Sequence, residues 1–311
     1  MNLFITVLLL IIGFVLLVKG SDIFVDGSVS VAKLLRVPAV IIGLTIVSMG
    51  TSAPEAAVSI TAGIKGSNEL AISNLIGSNI FNILCVAGIS ALITPFIVDK
   101  DVLKRDYPIS ITAMVVVAVM AFTGGVISRV EGIILFVIFI SYIAYLIRNA
   151  FKNRVASVNN EKPMSAVKSI LFIIIGLAAI VGGGQLVVNS SQIIAKTFDM
   201  SETLIGVTIV AIGTSLPELV TSIVAAKKSQ SEIAIGNVVG SNIFNLTFVL
   251  GMSSAFNEII VVPEAFVDNI IMIAASVLGF ILCLTARKLN RAEGAFMMLT
   301  YIAYSAYLLI R

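Results

Sequence analysis

Two short polar motifs occur twice in this sequence, and their residues are of the kinds that bind hard cations. GTSAPE at residues 50–55 recurs as GTSLPE at 213–218, and GSNIFN at 77–82 recurs unchanged at 240–245. Both pairs are offset by 163 residues (213 − 50 and 240 − 77), so the spacing between the motifs is the same in each copy. Carboxylate, amide and hydroxyl oxygens suit Ca²⁺ and Na⁺. The duplicated motifs therefore predict a cation-binding site with one half in each copy.

The first motif combines a predicted helix break with three oxygen-bearing side chains. Pro54 has no N–H and its ring bends the chain, so we expect the helix to open and free backbone carbonyls around residues 48–51. Thr51 and Ser52 precede Glu55 by four and three residues, which places all three on one face once the helix resumes. The second copy repeats this pattern.

The second motif predicts a polar stripe on a helix that is otherwise apolar. Polar residues are spaced by four in each copy: Asn74, Ser78 and Asn82, and then Asn237, Ser241 and Asn245. A single membrane serine often bonds only to its own backbone, and a glycine often marks only close helix packing. Duplication of the whole set favours a binding site over these simpler explanations.

The elements that carry the motifs are predicted to be membrane-spanning helices. Hydrophobic residues make up 59% of the 311 residues and charged residues only 12%, and long apolar runs recur along the chain. The first run lacks a basic region before it, so we expect it to belong to the fold and not to a signal peptide. Ten spans are predicted, at residues 2–30, 38–63, 70–95, 107–127, 130–148, 166–194, 203–226, 232–256, 267–286 and 292–310.

Five predicted spans lie in each half, so the two copies must cross the membrane in opposite directions. The predicted fold is an all-α integral membrane protein with ten transmembrane helices in two inverted-topology five-helix repeats. The first repeat is expected at residues 1–148, a cytoplasmic linker at 149–164 and the second repeat at 165–311. Lys and Arg concentrate in one set of alternate loops, which predicts a cell-membrane protein with both termini extracellular.

The two motif glutamates, Glu55 and Glu218, are expected to meet inside the membrane, where ionised carboxylates repel each other. One Ca²⁺ would balance the pair, and several Na⁺ ions could do so with the surrounding neutral oxygens. The chain has no His, and Cys85 and Cys283 form no metal-ligand spacing, so a soft transition metal is disfavoured. Both cysteines are expected to be free packing residues.

Other acidic residues receive simpler predictions. Asp22 and Asp26 correspond to Gln185 and Asn189 in the second copy. They either line an ion path or face water at the end of the first span. Ordinary interfacial charges are expected at Glu69, Glu131, Glu202 and Glu232.

The doubled motifs resemble those of the sodium/calcium exchanger family of cation/Ca²⁺ antiporters in its compact prokaryotic form, over essentially the whole chain. The resemblance implies ion sites between the second, third, seventh and eighth spans, and gating by the long first and sixth spans. It also implies exchange of one Ca²⁺ for several Na⁺. The implied metal-site residues are Ser48, Thr51, Ser52, Glu55, Ser78 and Asn82, and then Ala211, Thr214, Ser215, Glu218, Ser241 and Asn245, with Ser48 and Ala211 contributing backbone carbonyls.

One position departs from the family pattern. Several members carry Asp where this chain has Asn245, and the K⁺-dependent branch is among them. Asn removes a negative charge from the site, which argues against K⁺ co-transport.

The predicted function is secondary-active exchange of Na⁺ for Ca²⁺ by alternating access, electrogenic and independent of K⁺. No enzyme activity and no cofactor are expected. The expected partners are the two ions and the lipid bilayer, with no nucleic acid and no obligate protein partner evident. The nearest alternative is a Ca²⁺/H⁺ antiporter that uses the same two glutamates. A cation channel is disfavoured because channel pores usually come from rings of subunits, and a membrane enzyme because no nucleophile accompanies the glutamates.

Overall fold

The computed structural model describes residues 3–152, 162–198, 200 and 211–310, and this part of the chain is almost entirely helical. In chain order the helices are α1 (Leu3–Leu35), α2 (Ala39–Thr51), α3 (Ala53–Ile64), α4 (Asn68–Phe81, continued by Asn82–Val86 and Ala87–Ile93), α5 (Val102–Gly124), α6 (Arg129–Lys152), α7 (Ala166–Thr197), α8 (Ala211–Thr214), α9 (Leu216–Lys227), α10 (Ser231–Phe256), α11 (Pro263–Leu284) and α12 (Arg291–Ile310).

Seven of the described helices are long and apolar enough to cross a membrane, and the bent pair α2 and α3 makes an eighth candidate. Each predicted span overlaps a described helix, although the first continues to Leu35 and the fourth begins at Val102. The start of the predicted seventh span and residues 153–161 of the predicted linker lie outside the described residues. The prediction of an all-helical chain with several membrane-spanning helices is therefore confirmed.

The two longest helices, α1 and α7, pack along each other through small residues. At 1.5 Å per residue each is about 50 Å long, which exceeds the ~30 Å hydrocarbon core. A Cβ atom added to a glycine of α1 would lie 2.9 Å from a backbone oxygen of α7 at three successive contacts: Gly13 with Gly183, Gly20 with Gly176, and Gly27 with Ser169. This approach is possible only because neither helix carries a large side chain there.

The centre of the molecule is formed by α4 and α10, which are almost wholly buried in protein, whereas α1, α6 and α7 expose much of their apolar surface. Both central helices contain a π-helical turn, at Asn82–Val86 in α4 and at Phe244–Val249 in α10. Such turns widen a helix locally and occur frequently at functional sites. They begin at or next to the final asparagine of each GSNIFN motif.

Two short antiparallel ladders join loops from the two halves of the chain. Strand β1 (Phe96–Ile97) pairs with β4 (Lys288–Leu289), and β2 (Val126–Ile127) pairs with β3 (Ile259–Ile260). The α4–α5 loop therefore lies at the same end of the molecule as the α11–α12 loop. The α5–α6 and α10–α11 loops likewise lie together.

Two of the four glutamates expected to be interfacial charges make defined contacts at helix ends. Glu232 is partly buried, and its Oε2 accepts a hydrogen bond of 3.2 Å from the Val40 N–H at the start of α2. Glu131 caps its own helix, because its Oε2 accepts 2.8 Å hydrogen bonds from the N–H and the hydroxyl of Ser128. The Glu69 side chain and Glu202 lie outside the described residues.

The α1–α7 seam predicts a sharp difference between two glycines of α7. An added Cβ at Gly176 would lie 2.7 Å from the Phe24 nitrogen and 2.8 Å from the Gly20 oxygen, whereas at Gly182 it would meet no described atom within 4 Å. Gly176→Ala should therefore cost about 1–3 kcal/mol through overpacking, while Gly182→Ala should be neutral or slightly stabilising.

The measurement is thermal unfolding in detergent, followed with a maleimide dye that fluoresces on reaction with Cys85 and Cys283. Both are free, buried thiols that react only when the fold opens. Equal unfolding temperatures for the two variants would show that the seam is not tightly packed.

Candidate ion-binding site

The helix break predicted from the proline occurs in both copies, at the serine two residues before it. Ser52 separates α2 from α3 with φ −80° and ψ 8°, and Ser215 separates α8 from α9 with φ −91° and ψ 6°. The axes of α2 and α3 differ by 54°. Pro54 lies in the first turn of α3, where its missing N–H is not needed. The proline therefore starts the second helix after the bend.

The predicted freeing of the Ser48 carbonyl is wrong in this structure. The Ser48 oxygen accepts a 3.0 Å hydrogen bond from the Ser52 N–H, so the helix closes this turn before it bends. The same oxygen also accepts from the hydroxyls of Thr51 at 3.3 Å and Ser241 at 3.4 Å. Ala211, its counterpart, is the first described residue of α8.

The two glutamates are held by serines of the opposite copy. The Ser52 hydroxyl donates to Glu218 Oε1 at 2.6 Å, and the Ser215 hydroxyl donates to Glu55 Oε1 at 2.8 Å. Both carboxylates are 1% exposed. Both distances lie within the normal range for a hydroxyl that donates to an oxygen acceptor. The two halves of the chain thus meet at a crossed pair of contacts.

Other predicted residues surround this crossed pair. The Ser78 hydroxyl lies 3.0 Å from Ser215 Oγ and 3.5 Å from Glu55 Oε1. The Thr51 hydroxyl donates to Asn237 Oδ1 at 2.9 Å. Thr214 precedes Ser215 and is buried at the end of α8. Neutral oxygens therefore lie beside both carboxylates.

Four buried oxygens of this site have no hydrogen-bond partner in the described part of the chain: Glu55 Oε2, Glu218 Oε2, Asn82 Oδ1 and Asn245 Oδ1. They form two pairs that correspond between the copies. A buried acceptor without a partner costs free energy, and a carboxylate more than a neutral group. A hard cation is the ligand that would satisfy carboxylate and amide oxygens together. The arrangement is suited to binding such a cation reversibly.

Two residues of this site were missed in the sequence. Asn79 and Asn242 contact Asn245 and Asn82 across the two copies. The third position of both GSNIFN motifs is Asn, but the four-residue spacing of the polar stripe includes Ser78 and Asn82 and omits Asn79.

The predicted acidic pair near the end of the first span forms an ion-pair cluster. Lys228 Nζ lies 2.7 Å from Asp22 Oδ1 and 2.6 Å from Asp26 Oδ1, and it also donates to the Asp22 carbonyl at 2.9 Å. Partial burial acts to lower the pKa of Lys228, but hydrogen bonds and charges from both aspartates outweigh it and raise that pKa above its ordinary value. The cluster ties α1 to the α9–α10 loop.

Comparison with known proteins identifies the family. The model of the family described as sodium/calcium exchanger protein matches residues 5–148 and 168–310. This chain belongs to the sodium/calcium exchanger family.

Relatives of this exchanger-family chain match it over nearly their whole length. The sodium/calcium exchanger MaX1 of Methanosarcina acetivorans is 35% identical over 337 residues, covering 96% of both chains. The inner membrane protein YrbG of Escherichia coli strain K12 is 36% identical over 285 residues, covering 88% of this chain and 87% of YrbG. The solved structure of the sodium-calcium exchanger NCX_Mj superimposes with a TM-score of 0.86 at 34% identity, covering 97% of this chain and 98% of NCX_Mj. These relationships indicate a cation/Ca²⁺ antiporter of the membrane, and not an enzyme.

The ion-pair cluster generates a prediction about local opening of this protein. In Lys228→Gln, the part of α1 around Asp22 and Asp26 should lose its attachment to the α9–α10 loop. Its backbone amides should then exchange hydrogen faster, which hydrogen–deuterium exchange with mass spectrometry would measure.

The matched control is Lys65→Gln, because Lys65 is the counterpart of Lys228 in the other copy (65 + 163 = 228). It should leave exchange around Asp22 unchanged. Equal exchange in Lys228→Gln and the unsubstituted protein would show that the cluster does not hold α1.

Proposed function

We propose that this chain is a secondary-active antiporter that exchanges Na⁺ for Ca²⁺ across the membrane by alternating access. The observation that carries the proposal is the crossed pair of serine–glutamate contacts. It leaves one oxygen of each buried carboxylate available to a cation. The family assignment supports it, since MaX1 and NCX_Mj are both named as sodium/calcium exchangers.

The Ser48 carbonyl is left out of the proposed ligand set, because it already accepts three hydrogen bonds. The proposed ligands are the Ala211 carbonyl and the side chains of Thr51, Ser52, Glu55, Ser78 and Asn82, and of Thr214, Ser215, Glu218, Ser241 and Asn245. Ca²⁺ needs six to eight oxygens, which the two carboxylates, the hydroxyls and the amides can supply. One Ca²⁺ neutralises both carboxylates, and Na⁺ ions can replace it by sharing the neutral oxygens. Because Asn245 is uncharged, the site carries two negative charges, and we infer that no K⁺ accompanies the exchange.

The proposed topology is ten transmembrane helices in two inverted repeats, at residues 1–148 and 165–311, joined by a cytoplasmic linker at 149–164. The strand pairs support it, because each places an interhelical loop of one half beside a loop of the other half. The β1–β4 ladder lies between loops rich in Lys and Arg, which the positive-inside rule assigns to the cytoplasm. Both termini would then be extracellular in the cell membrane.

The proposed moving part is the pair of long helices α1 and α7. Their glycine seam allows them to move as one body, while α4 and α10 stay in the core. Contacts between the α1–α7 pair and the rest of the protein must change during the cycle. One is the 3.1 Å hydrogen bond between the Ser21 and Thr221 hydroxyls, and another is the Lys228 cluster. If one net charge moves per cycle, each 100 mV of membrane potential contributes ~2.3 kcal/mol.

The test is uptake of ⁴⁵Ca²⁺ into proteoliposomes loaded with Na⁺ and diluted into Na⁺-free buffer, with and without K⁺. Uptake should require internal Na⁺ and should not respond to K⁺. Glu55→Gln and Glu218→Gln should each abolish uptake, because each removes a negative charge that the cation must balance. The matched control is Glu264→Gln, which changes an exposed glutamate at the start of α11 and should transport normally.

The outcomes separate the two candidate couplings. Uptake driven equally by a pH gradient without Na⁺ would assign the chain to Ca²⁺/H⁺ antiport through the same glutamates. Uptake that persists in both motif variants would exclude this site from transport.

A further inference from the structure

We propose that Asn79 and Asn242 are positioning residues that turn the amide oxygens of Asn82 and Asn245 toward the transported cation. They would not touch the cation themselves. The inference rests on the proposed function, because it assigns these residues a role toward the same site.

The argument starts from two backbone carbonyls. Asn79 Nδ2 donates to the Asn242 carbonyl at 3.4 Å, and Asn242 Nδ2 donates to the Asn79 carbonyl at 3.4 Å. A carbonyl oxygen can only accept a hydrogen bond. The NH₂ group of each amide must therefore face the opposite helix, which fixes the direction in which its oxygen points.

The side-chain oxygens of Asn79 and Asn242, once fixed in this way, orient the amides of two proposed ligands. Asn82 Nδ2 donates to Asn242 Oδ1 at 3.1 Å, and Asn245 Nδ2 donates to Asn79 Oδ1 at 3.1 Å. Each site amide thus has its nitrogen turned toward the other copy. Its own oxygen, Asn82 Oδ1 or Asn245 Oδ1, is left buried without a partner among the described residues.

This orientation matters because an amide presents opposite polarity at its two ends. The oxygen accepts and coordinates a cation, whereas the NH₂ group presents two donors that would repel it. All four asparagines are at most 1% exposed, so in this conformation the orienting contacts come from the protein and not from bulk water. Each half of the site is therefore oriented from the opposite copy.

The network also relates to the uncharged residue at position 245. An ionised Asp there could not donate to Asn79 Oδ1, so two acceptors would face each other. Asp, however, presents an oxygen to the cation whichever way its carboxylate is turned. This property makes a rescue experiment possible.

The experiment measures the KM for Ca²⁺ in Na⁺-loaded proteoliposomes. Asn79→Leu removes the acceptor that orients Asn245, and it should raise the KM roughly tenfold or more, as expected when a ligand contact with a charged partner is lost. Adding Asn245→Asp should restore the KM, because that ligand needs no orienting partner. The crossed control, Asn79→Leu with Asn82→Asp, should not restore it, since Asn242 orients Asn82.

The mirror set gives an independent second measurement. Asn242→Leu should be rescued by Asn82→Asp and not by Asn245→Asp. Thermal unfolding of each variant shows whether it is folded. If a leucine variant does not fold, Asn79→Ala and Asn242→Ala only shorten the side chain and carry the same expectations.

The outcomes distinguish the two levels of the proposal. Absence of Na⁺-driven uptake by the unsubstituted protein would overturn the proposed function. Normal uptake together with an unchanged KM in the Asn79 and Asn242 variants would overturn only the positioning role. Equal rescue by the matched and crossed aspartates, or rescue by neither, would also overturn it, because a merely structural residue predicts no such selectivity.

Discussion

Two carboxylates buried in an apolar membrane protein are the constraint on which the rest of this structure depends. Inserting each charge costs at least ~2.5–3.5 kcal/mol, and the protein offsets only part of that cost. Glu55 and Glu218 each receive a serine hydroxyl on Oε1 and no described partner on Oε2. A site satisfied completely by the protein would have no need of a cation. The incomplete satisfaction is what would make reversible ion binding favourable at the proposed site.

The same constraint explains why the contacts cross between the two copies. Ser52 begins the bend before α3 and yet serves the glutamate of α9, so neither copy contains a complete site. The amides of α4 and α10 follow the same rule, since each is oriented from the other helix. Helices that must exchange such contacts have to pack with their backbones close together. The π-helical turns in both central helices lie where these contacts are made.

Local rules in the sequence predict the break and the oxygen ligands, but not their partners. Pro54 and the spacing to Glu55 act within one helix, so a helix break and a shared face follow from chain geometry. The bend falls at Ser52, and the Ser48 carbonyl keeps its helical bond, because the turn before the proline still closes. The contact of Ser52 with Glu218 joins residues 166 positions apart. It depends on how the copies pack, which spacing within one copy does not contain.

The places where the copies differ are as informative as those where they agree. Two identical inverted repeats would give the two end states of the cycle equal free energy. In the proposed cycle the Lys228 cluster would break this equality, because Gln185 and Asn189 stand where the first copy has Asp22 and Asp26. Its side chains are 27% to 48% exposed, and ion pairs of this kind contribute only about 0–1 kcal/mol. A bias of that size favours one state without trapping it, since a population shift from 1:99 to 99:1 needs about 5.5 kcal/mol. A much stronger attachment at that end would oppose the movement of α1 in the proposed cycle.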